Sequence, residues 1–423
     1  MKNLFLTFLM LTGFSLLADD LYVNSSGLVN TYFTIQEAVD NANSGDNIFV
    51  STVGTYSEDV TVDKSVFIVA GVADELFTLS GEFIIDNSSG SIDVTIIGMN
   101  NGSVTGNGEA YSKVTVNVIS SLISSVDFSD DYNYDVHIYD CTVYNDCIIK
   151  NGQIKGSTLS ELTVYNDVNS FNPTTDTIKI MGNNMTYLYY QNDQHYFEIC
   201  NNLIYNEMVY NGSSDVWTNN MKMLEFPLRR TDAGGTNLIA NNTIEGYMQD
   251  NGYCSNMTLW GITFEDWNSQ GDGQNVVIVN NYISNNINSY CQNSYEDSYV
   301  IYSNPEMNNA YIANNHYYTP SQSNINYWTY NFDNSSVVDN VEGQLSFDSE
   351  TGILTGGQDQ GLDWIEYRDI DNTTNDIGTA GGPHAWSNYN TTQGKAAVID
   401  LELPFQLYIG GVHNVKAKSF HKN

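Results

Sequence analysis

Two glutamates in the middle of the chain have the spacing of a catalytic carboxylate pair. Glu225 lies 16 residues before Asn241, and Glu265 lies 15 residues before Asn280. If the two asparagines mark equivalent points of a repeat, the glutamates lie on adjacent strands, about one strand spacing apart, with Asp266 at the end of the second strand. Glycoside hydrolysis needs such a pair, because one carboxyl protonates the leaving oxygen while the other attacks or activates water.

Two adjacent arginines, Arg229 and Arg230, follow the first glutamate, although the whole chain has only 14 Lys plus Arg. A polysaccharide lyase needs such a cation to neutralise the carboxylate of a uronic acid. Lys222 or Arg229 can act as the base of that reaction only if its pKa is lowered. We therefore expect catalytic roles for Glu225, Arg229, Glu265 and Asp266, and substrate binding by Arg230, Asp232 and the ring-stacking Trp260 and Trp267.

The same residues also have a structural interpretation. Glu265 and Asp266 are then either solvated or paired with Arg229 and Arg230 in salt bridges between coils. Tryptophans are more often anchors of a core or a loop than platforms for sugars. The six histidines are scattered, and the chain has no Gly-rich phosphate loop, nucleophile elbow or nicotinamide fingerprint. Both interpretations of the glutamates and arginines remain open.

A second group of acidic residues has the spacing of calcium ligands. Asp369, Asp371 and Asp376 resemble the first half of a calcium loop. A helix-loop-helix calcium site requires Gly at its sixth position and Glu at its twelfth, where this chain has Thr374 and Ala380. Two interpretations remain: a looser, oxygen-ligated Ca²⁺ held by the three aspartates, or hydrogen bonding in Asx turns.

Five cysteines are present: Cys141, Cys147, Cys200, Cys254 and Cys291. Cys254 lies 13 residues after Asn241, and Cys291 lies 11 residues after Asn280. If the two asparagines stack, both thiols are expected at nearly the same place on adjacent coils. We predict a disulfide between them, with two free thiols on neighbouring loops as the alternative. No Cys/His pair has the spacing of zinc ligands.

A recurring asparagine doublet predicts the fold that must position these residues. It occurs at Asn201-Asn202, Asn241-Asn242, Asn280-Asn281 and Asn314-Asn315, each time between alternating apolar residues. Such strand–Asn–strand repeats are typical of a solenoid. Asn tolerates a positive φ at a tight bend, and stacked Asn side chains can bond to one another along the axis. We expect Asn202, Asn242, Asn281 and Asn315 to form a structural ladder, and Cys141 aligns without gaps on Asn202.

The rest of the chain indicates short strands and one helix. Thr34 and Glu37 form a capping box, and apolar residues follow at helical spacing until Gly45. Short β-branched runs then recur with turns every 8–12 residues. Only 15% of residues are charged and 13% are aromatic, which is a β-rich composition. The formal net charge of −36 argues against nucleic acid and anionic lipid as partners.

Two sets of short motifs lie near the ends of the chain. They are Ile35–Ala38, Gly45–Ile48 and Gly54–Tyr56 near the start, and Asp369–Gly378 followed by Gly381–Pro383 near the end. The first set resembles the opening, and the second the closing segment, of secreted bacterial parallel β-helix proteins of the pectin-lyase-like type. The resemblance implies a right-handed helix whose open end is covered by the first α-helix. The signature motifs of polygalacturonases, pectin methylesterases and pectate lyases are absent from this sequence, which puts those activities in doubt.

These observations predict an all-β chain: a right-handed parallel β-helix (solenoid) with a short N-terminal capping helix and a small C-terminal β appendage. We expect a signal peptide at 1–18, the β-helix at 19–345, its closing segment at 346–390 and an appendage at 391–423 that is either a strand pair on the last coil or the beginning of a longer surface module. The apolar stretch at the start is too short for a membrane anchor, so we expect an exported monomer without membrane insertion.

Two functions follow as hypotheses. The first is a secreted or cell-surface protein that binds polysaccharide or a surface glycan and cleaves it as a glycosidase or lyase. The second is a non-catalytic β-helix that acts as an adhesin or a spacer. Scarce basic residues favour a neutral substrate and hydrolysis over an anionic substrate and elimination. An enzyme should show converging carboxylates and exposed aromatic rings in a groove, whereas a spacer should show those groups paired or facing apart.

Overall fold

The computed structural model of the chain describes residues 18–26, 29, 31–86, 90–107, 112–129, 133–165, 177–191, 196–210, 218–227, 237–250, 256–265, 276–289, 296–304, 307, 310–319, 325–332, 335–348, 353–363, 369, 373–382, 385, 395–402 and 416–422. Strands dominate these residues, and parallel strands from successive turns of the chain are stacked on one another. One turn of the chain, consisting of a strand in the first long sheet and the strands that follow it in the second, is called a coil below.

The elements follow one another in a regular order. The first part of the chain contains β1 (Asp20–Val23), α1 (Ile35–Asn41), β2 (Asn47–Val50), β3 (Thr55–Tyr56), β4 (Val60–Val62), β5 (Val66–Ala70), β6 (Phe77–Leu79), β7 (Glu82–Ile85), β8 (Ile92–Ile97), β9 (Met99–Asn100), β10 (Ser103–Gly106), β11 (Val114–Ile119), β12 (Leu122–Ile123), β13 (Val126–Asp127), β14 (Tyr134–Tyr139), β15 (Thr142–Ile149), β16 (Gly152–Lys155), β17 (Thr158–Tyr165), β18 (Thr177–Met181) and β19 (Asn184–Gln191).

The second part contains β20 (Tyr196–Cys200), β21 (Leu203–Tyr210), β22 (Thr218–Pro227), β23 (Asn237–Ala240), β24 (Thr243–Asp250), β25 (Asn256–Glu265), β26 (Val276–Val279), β27 (Tyr282–Ser289), β28 (Glu296–Asn304), β29 (Ala310–Ala313), β30 (His316–Tyr318), β31 (Ile325–Tyr330), β32 (Ser336–Val338), β33 (Val341–Glu342), β34 (Ser346–Asp348), β35 (Ile353–Thr355), a single 3-10 turn (Gly378–Ala380), β36 (Lys395–Glu402) and β37 (Lys416–Lys422).

Two long parallel sheets form the described part of the solenoid. Sheet A has 13 strands in the order β1-β2-β5-β8-β11-β14-β16-β18-β20-β23-β26-β29-β32, and sheet B has 20 strands from the remaining legs of the coils. Because each strand pairs with its equivalent one coil away, the architecture is a parallel β-helix. Two antiparallel pairs follow it, β34 with β35 and β36 with β37.

Aliphatic columns hold the coils together. One column on the inner face of sheet A is in register through nearly the whole solenoid, and every member is fully buried. It comprises Ile48, Ile68, Ile96, Val118, Ile138, Ile154, Ile180, Ile199, Ile239, Ile278 and Ile312. Each buried side chain of this size contributes roughly 2 kcal/mol, so the stack is stabilised coil by coil.

Helix α1 lies beside the first coil. The backbone N–H of Glu37 donates to Oγ1 of Thr34, and the Glu37 carboxylate accepts from the N–H of Phe33. Ile35 and Val39 are buried, and the helix packs against β1, β2 and β4. A capped first turn and one apolar face therefore suffice to form a short helix here.

The two asparagines of each doublet have separate structural roles. The first one adopts the left-handed conformation at the corner between the sheets, with φ values of 57° for Asn201, 56° for Asn241, 57° for Asn280 and 53° for Asn314. Glycine occupies the same corner in earlier coils, at Gly98, Gly156 and Gly182. These positions need a residue that tolerates a positive φ, and Asn does so at lower cost than most side chains.

The second asparagine of each doublet forms an axial ladder inside the corner. Asn202 Nδ2 donates to Asn242 Oδ1 at 3.0 Å, Asn242 Nδ2 donates to Asn281 Oδ1 at 2.9 Å, and Asn281 Nδ2 donates to Asn315 Oδ1 at 2.9 Å. The ladder continues to Asn183 on one side and to Asn340 on the other. Each Oδ1 also accepts the backbone N–H of the preceding rung. The structure thus brings the four predicted ladder residues into one column.

Cys141 occupies a rung of the same column, where its alignment with Asn202 placed it. Its backbone N–H donates to Ser157 Oγ at 3.1 Å, and its Sγ lies 3.4 Å from the carbonyl oxygen of Val118. Burial raises the pKa of the Cys141 thiol to about 12, so the thiol stays protonated. Cys147 and Cys200 are likewise buried and free.

A segment after the last coil lies across the asparagine corners. We call residues 353–363 and 373–382 the closing strap. Asn241 Nδ2 donates to Asn375 Oδ1 at 2.6 Å, Asn201 Nδ2 donates to the carbonyl of Gly381 at 2.5 Å, and the N–H of Leu362 donates to Asn280 Oδ1 at 2.7 Å. The side chains of Asn201, Asn241 and Asn280 therefore bind this segment.

The strap also covers apolar residues on the outside of the corner. Leu362 packs on a stripe at the ends of sheet A strands that includes Val279 and Ala240. Leu354 and Ile377 enclose Tyr282, whose hydroxyl donates to the carbonyl of Leu345 at 3.2 Å. The strap thus connects three successive coils, those that begin with β20, β23 and β26.

A chain of polar side chains crosses the solvent-facing side of sheet A. Asp135 contacts Lys113 at 3.1 Å and His137 Nε2 at 3.1 Å, and His137 Nδ1 lies 3.2 Å from Asn117 Oδ1. Burial raises the pKa of the Asp135 carboxyl, but the hydrogen bonds and positive charges of His137 and Lys113 outweigh it and bring that pKa down to about 2.

We expect Asp135→Asn to lower the free energy of unfolding by about 2 kcal/mol at pH 7. Because the folded-state pKa of Asp135 is depressed, its contribution is complete above pH ~4 and is lost as the pH falls towards about 2. Denaturant unfolding of the variant and the wild type at pH 7, 4 and 2.5 measures this. The difference in the free energy of unfolding between the variant and the wild type should narrow as the pH falls. Asp63→Asn, which changes an exposed carboxylate, should show no such difference.

Candidate functional site

Three consecutive coils carry long excursions in sheet B. Strand β19 pairs with β21 at Met185 and Ile204, and it pairs with β22 farther along at Leu188 and Leu224. The part of β21 beyond Ile204 and the part of β22 before Leu224 therefore lie outside the pairing with β19, and we call this pair of segments an excursion. The next two coils repeat this path, since β21, β24 and β27 pair along their length and β22, β25 and β28 pair along theirs.

The returning strands present one polar face to the outside. Phe226 and Phe264 are buried in the core with their rings stacked 4.9 Å apart, so their neighbours Glu225 and Glu265 point outward. We call the outward side of β19, β22, β25, β28 and β31 the outer face. It runs along the solenoid axis, because these strands are stacked in successive coils.

An ion cluster lies at the centre of the outer face. Lys222 Nζ lies 2.8 Å from Glu225 Oε1 and 2.8 Å from Glu265 Oε2. Tyr187 donates its hydroxyl to Glu225 Oε2 at 2.6 Å. The side chains of Lys222, Glu225 and Glu265 are 24%, 15% and 23% exposed, so solvent and a ligand can still reach them. The structure brings together the two glutamates predicted to be catalytic.

The two glutamates are not level with each other, however. Glu225 pairs in register with Thr263, and Glu265 pairs with Pro227. The connection between β25 and β26 is one residue longer than the connection between β22 and β23. Counting back from the asparagine doublets therefore predicts the wrong register for the two glutamates. The two carboxylates meet diagonally, through Lys222.

The cluster changes the proton affinity of its members. Burial lowers the pKa of Lys222, but the hydrogen bonds and charges of Glu225 and Glu265 outweigh it, and the pKa of Lys222 is raised. Burial and the neighbouring Glu225 both raise the pKa of Tyr187. Lys222 is thus protonated at neutral pH, and Tyr187 remains a hydrogen-bond donor.

Aromatic rings surround this cluster. Trp260 is stacked on Tyr299 with ring centroids 6.0 Å apart, and Tyr302 is stacked on Tyr330 at 5.3 Å. Tyr299 and Tyr302 meet edge to face at 5.1 Å. Lys222 Nζ lies 6.0 Å from the centre of the Trp260 ring. The predicted sugar-binding Trp260 therefore belongs to the same face as the ion cluster.

Three polar atoms of this face have no hydrogen-bond partner among the described residues. They are Nε1 of Trp260, Oγ1 of Thr263 and Oδ1 of Asp297, and Thr263 is fully buried. Sequence reasoning missed Thr263 and Tyr187 as members of the site. No sequence signal identifies them, because their proximity to Lys222 and Glu225 depends on how far each excursion extends before it returns.

Several predicted site residues lie outside the described part of the chain. They are Arg229, Arg230, Asp232, Asp266, Trp267, Asp371, Cys254 and Cys291. Their roles in catalysis, substrate binding, calcium binding and the disulfide remain predictions.

The remaining calcium candidates belong to the region of the closing strap. Asp369 accepts a hydrogen bond from the N–H of Gly382, and Asp376 accepts one from the N–H of Asp359 at 2.8 Å. Within the described residues, no group of three or more His, Cys, Asp or Glu has an arrangement that could hold a metal ion. Asp369 and Asp376 act there as acceptors for backbone amides.

No protein-family model, curated protein or solved structure matches this chain. In the part of the chain that the structure describes, no helix has the length and apolar character needed to cross a bilayer.

Proposed function

We propose that the protein binds polysaccharide along the outer face. The observation that carries the proposal is the convergence of Lys222, Glu225 and Glu265 beside the paired rings of Trp260 and Tyr299. A polysaccharide is a long ligand with apolar ring surfaces and many hydroxyls, and it needs aromatic contacts together with charged hydrogen-bond partners. A face that follows the axis of the solenoid offers such contacts over several sugar units.

Hydrolysis is a second candidate function, favoured by the position of the two carboxylates. Glu225 Oε1 and Glu265 Oε2 each lie 2.8 Å from Lys222 Nζ. The distance between these two oxygen atoms therefore cannot exceed twice that value. Retaining glycosidases hold their two carboxyl groups about 5–5.5 Å apart. The Lys222 ammonium lies between the carboxylates, so a sugar can enter there only after Lys222 has rotated away.

Elimination is less well supported than hydrolysis. A lyase must remove a proton with a base, and the raised pKa of Lys222 keeps this residue protonated.

Pairing through Lys222 also suits a protein that binds glycan without cleaving it, as a surface adhesin does. Release of reducing ends from neutral polysaccharides by the wild type, but not by Glu225→Gln or Glu265→Gln, distinguishes a hydrolase from an adhesin. Binding without release supports the adhesin.

The resemblance at both ends of the chain extends the proposal. We assign the solenoid to the right-handed, pectin-lyase-like type, since parallel crossovers are right-handed in nearly all proteins. We also propose that the chain is exported after removal of residues 1–18, with α1 covering the open end of the first coil. Mass spectrometry of the protein from culture medium tests export, because the exported form should begin at residue 19.

We expect Trp260→Ala to weaken polysaccharide binding by about tenfold, because a large ring of the face is lost. Affinity electrophoresis against a panel of soluble polysaccharides measures this loss. The matched control is Tyr22→Ala, which removes a 51% exposed ring from the outside of sheet A. Equal affinity of the Trp260 variant and the wild type, with unchanged thermal unfolding, would contradict the proposed face.

A further inference from the structure

The described strands of the outer face contribute little positive charge for an anionic ligand. Lys222 is the only Lys or Arg within β19, β22, β25, β28 and β31. Both of its nearest carboxylates, Glu225 and Glu265, are bonded to it at 2.8 Å. Asp297 adds a third acidic side chain on the outward side of β28. A polyuronate would bring further carboxylates to a surface that is already acidic, in a chain of net charge −36.

The same face has unpaired hydrogen-bonding atoms of both kinds. Trp260 Nε1 is a donor, Asp297 Oδ1 is an acceptor, and Thr263 Oγ1 can act as either, and all three are buried without a partner among the described residues. Leaving such an atom unpaired costs about 1–3 kcal/mol. They lie on adjacent strands, because β25 pairs with β28. A single class of ligand group, the hydroxyl, can satisfy all of them.

Thr263 is the most informative of these atoms. It is fully buried, and it is level with Glu225 on one neighbouring strand and with Tyr302 on the other. Because Phe264 points into the core, Thr263 points to the outer face. A ligand hydroxyl reaches Thr263 Oγ1 only when the long side chains around it rotate aside, so this contact would form on binding.

We infer that the outer face selects a neutral, hydroxyl-rich glycan and rejects polyuronates. Trp260 Nε1, Thr263 Oγ1 and Asp297 Oδ1 are the atoms that form hydrogen bonds with the hydroxyls of this glycan. This inference rests on the proposed polysaccharide binding. It adds the substrate class and a positioning role for Thr263, which donates or accepts a hydrogen bond and takes part in no covalent step.

The test uses the full chain, two neutral polysaccharides (a β-glucan and a galactan) and one polyuronate (polygalacturonate), each in low and in high salt. Isothermal titration should show binding of at least one neutral polysaccharide, nearly independent of salt, and no binding of polygalacturonate. Thr263→Val removes the hydroxyl and keeps the shape. This variant should lose about tenfold in affinity for the neutral glycan. The control is Thr61→Val, which alters an exposed threonine in the first coil.

The outcomes separate the two proposals. Preferential, salt-sensitive binding of polygalacturonate would overturn the inference and leave polysaccharide binding in place. Full neutral-glycan affinity in a folded Thr263→Val variant would remove the hydroxyl-reading role of Thr263. If none of the three polysaccharides binds, the proposed function fails together with the inference. Thermal unfolding of each variant, compared with the wild type, shows whether a loss of binding reflects a loss of folding.

Discussion

Replacing Asn242 with alanine is expected to lower the free energy of unfolding by about 4 kcal/mol. Asn242 is fully buried, and its side chain makes four hydrogen bonds. Nδ2 donates to the carbonyl of Ile199 at 2.8 Å and to Asn281 Oδ1 at 2.9 Å. Oδ1 accepts the backbone N–H and the side-chain Nδ2 of Asn202, both at 3.0 Å.

The size of this effect follows from what the substitution leaves behind. Alanine removes the partners of a buried N–H and a buried carbonyl, and leaving such groups unpaired is costly. Denaturant unfolding measures the loss, and Asn288→Ala, which alters an exposed asparagine of the next coil, serves as the control. A loss below about 1 kcal/mol would mean that the ladder bonds are replaced by other contacts.

The second large effect is expected at Gly381 in the closing strap. A Cβ at this position would lie 2.0 Å from the carbonyl oxygen of Asp376, 2.2 Å from Asn375 Oδ1 and 2.6 Å from Asn241 Nδ2. The first of these is a backbone atom, which cannot give way as the end of a flexible side chain can. Gly381→Ala should therefore detach this part of the strap and destabilise the protein by about 3 kcal/mol.

Limited proteolysis and denaturant unfolding together test this expectation. The variant should be cleaved within the strap faster than the wild type, because the buried contacts of Ile377 and Leu362 are loosened. Gly343→Ala is the matched control, since a Cβ at Gly343 meets no atom within 4 Å. Resistance of the Gly381 variant equal to that of the control would show that the strap is held independently of the asparagine corner.

The strap prediction also bears on the candidate site. The strap connects three coils whose excursions form the outer face: one carries Lys222 and Glu225, the next carries Trp260 and Glu265, and the third carries Tyr299. Loosening the strap frees these coils to shift relative to one another. We therefore expect Gly381→Ala to weaken glycan binding as well, although Gly381 lies on the asparagine corner and not on the outer face.

Much of the architecture was predictable from the sequence, because its cause is local and repeated. A residue that tolerates a positive φ, followed by one that can both donate and accept, is needed once in every coil, and the doublets supply both. The short gap-free repeat even placed Cys141 on the ladder. The doublet did not reveal that its first residue binds the closing strap while its second forms the ladder. The hydrogen bond from Asn241 to the strap depends on Asn375, which is distant in the sequence.

The candidate site was only partly predictable. Glu225 and Glu265 were identified as neighbours, but their register depends on connections of unequal length, which sequence counting cannot align. Lys222 appeared as a conditional base, whereas in the structure it bridges both carboxylates and has a raised pKa. Thr263 carried no signal, because an outward threonine becomes buried only through the side chains of neighbouring coils.

By itself, the sequence determined that this chain stacks in parallel coils, because turn chemistry and apolar alternation act over a few residues and recur in every coil. The tertiary structure alone decided which side chains meet on the outer face and where the closing strap binds. Contacts of that kind join residues tens to more than a hundred positions apart, such as Asn201 and Gly381. Their geometry is set by coil register and by the reach of each excursion, and neither is encoded in any short stretch of residues.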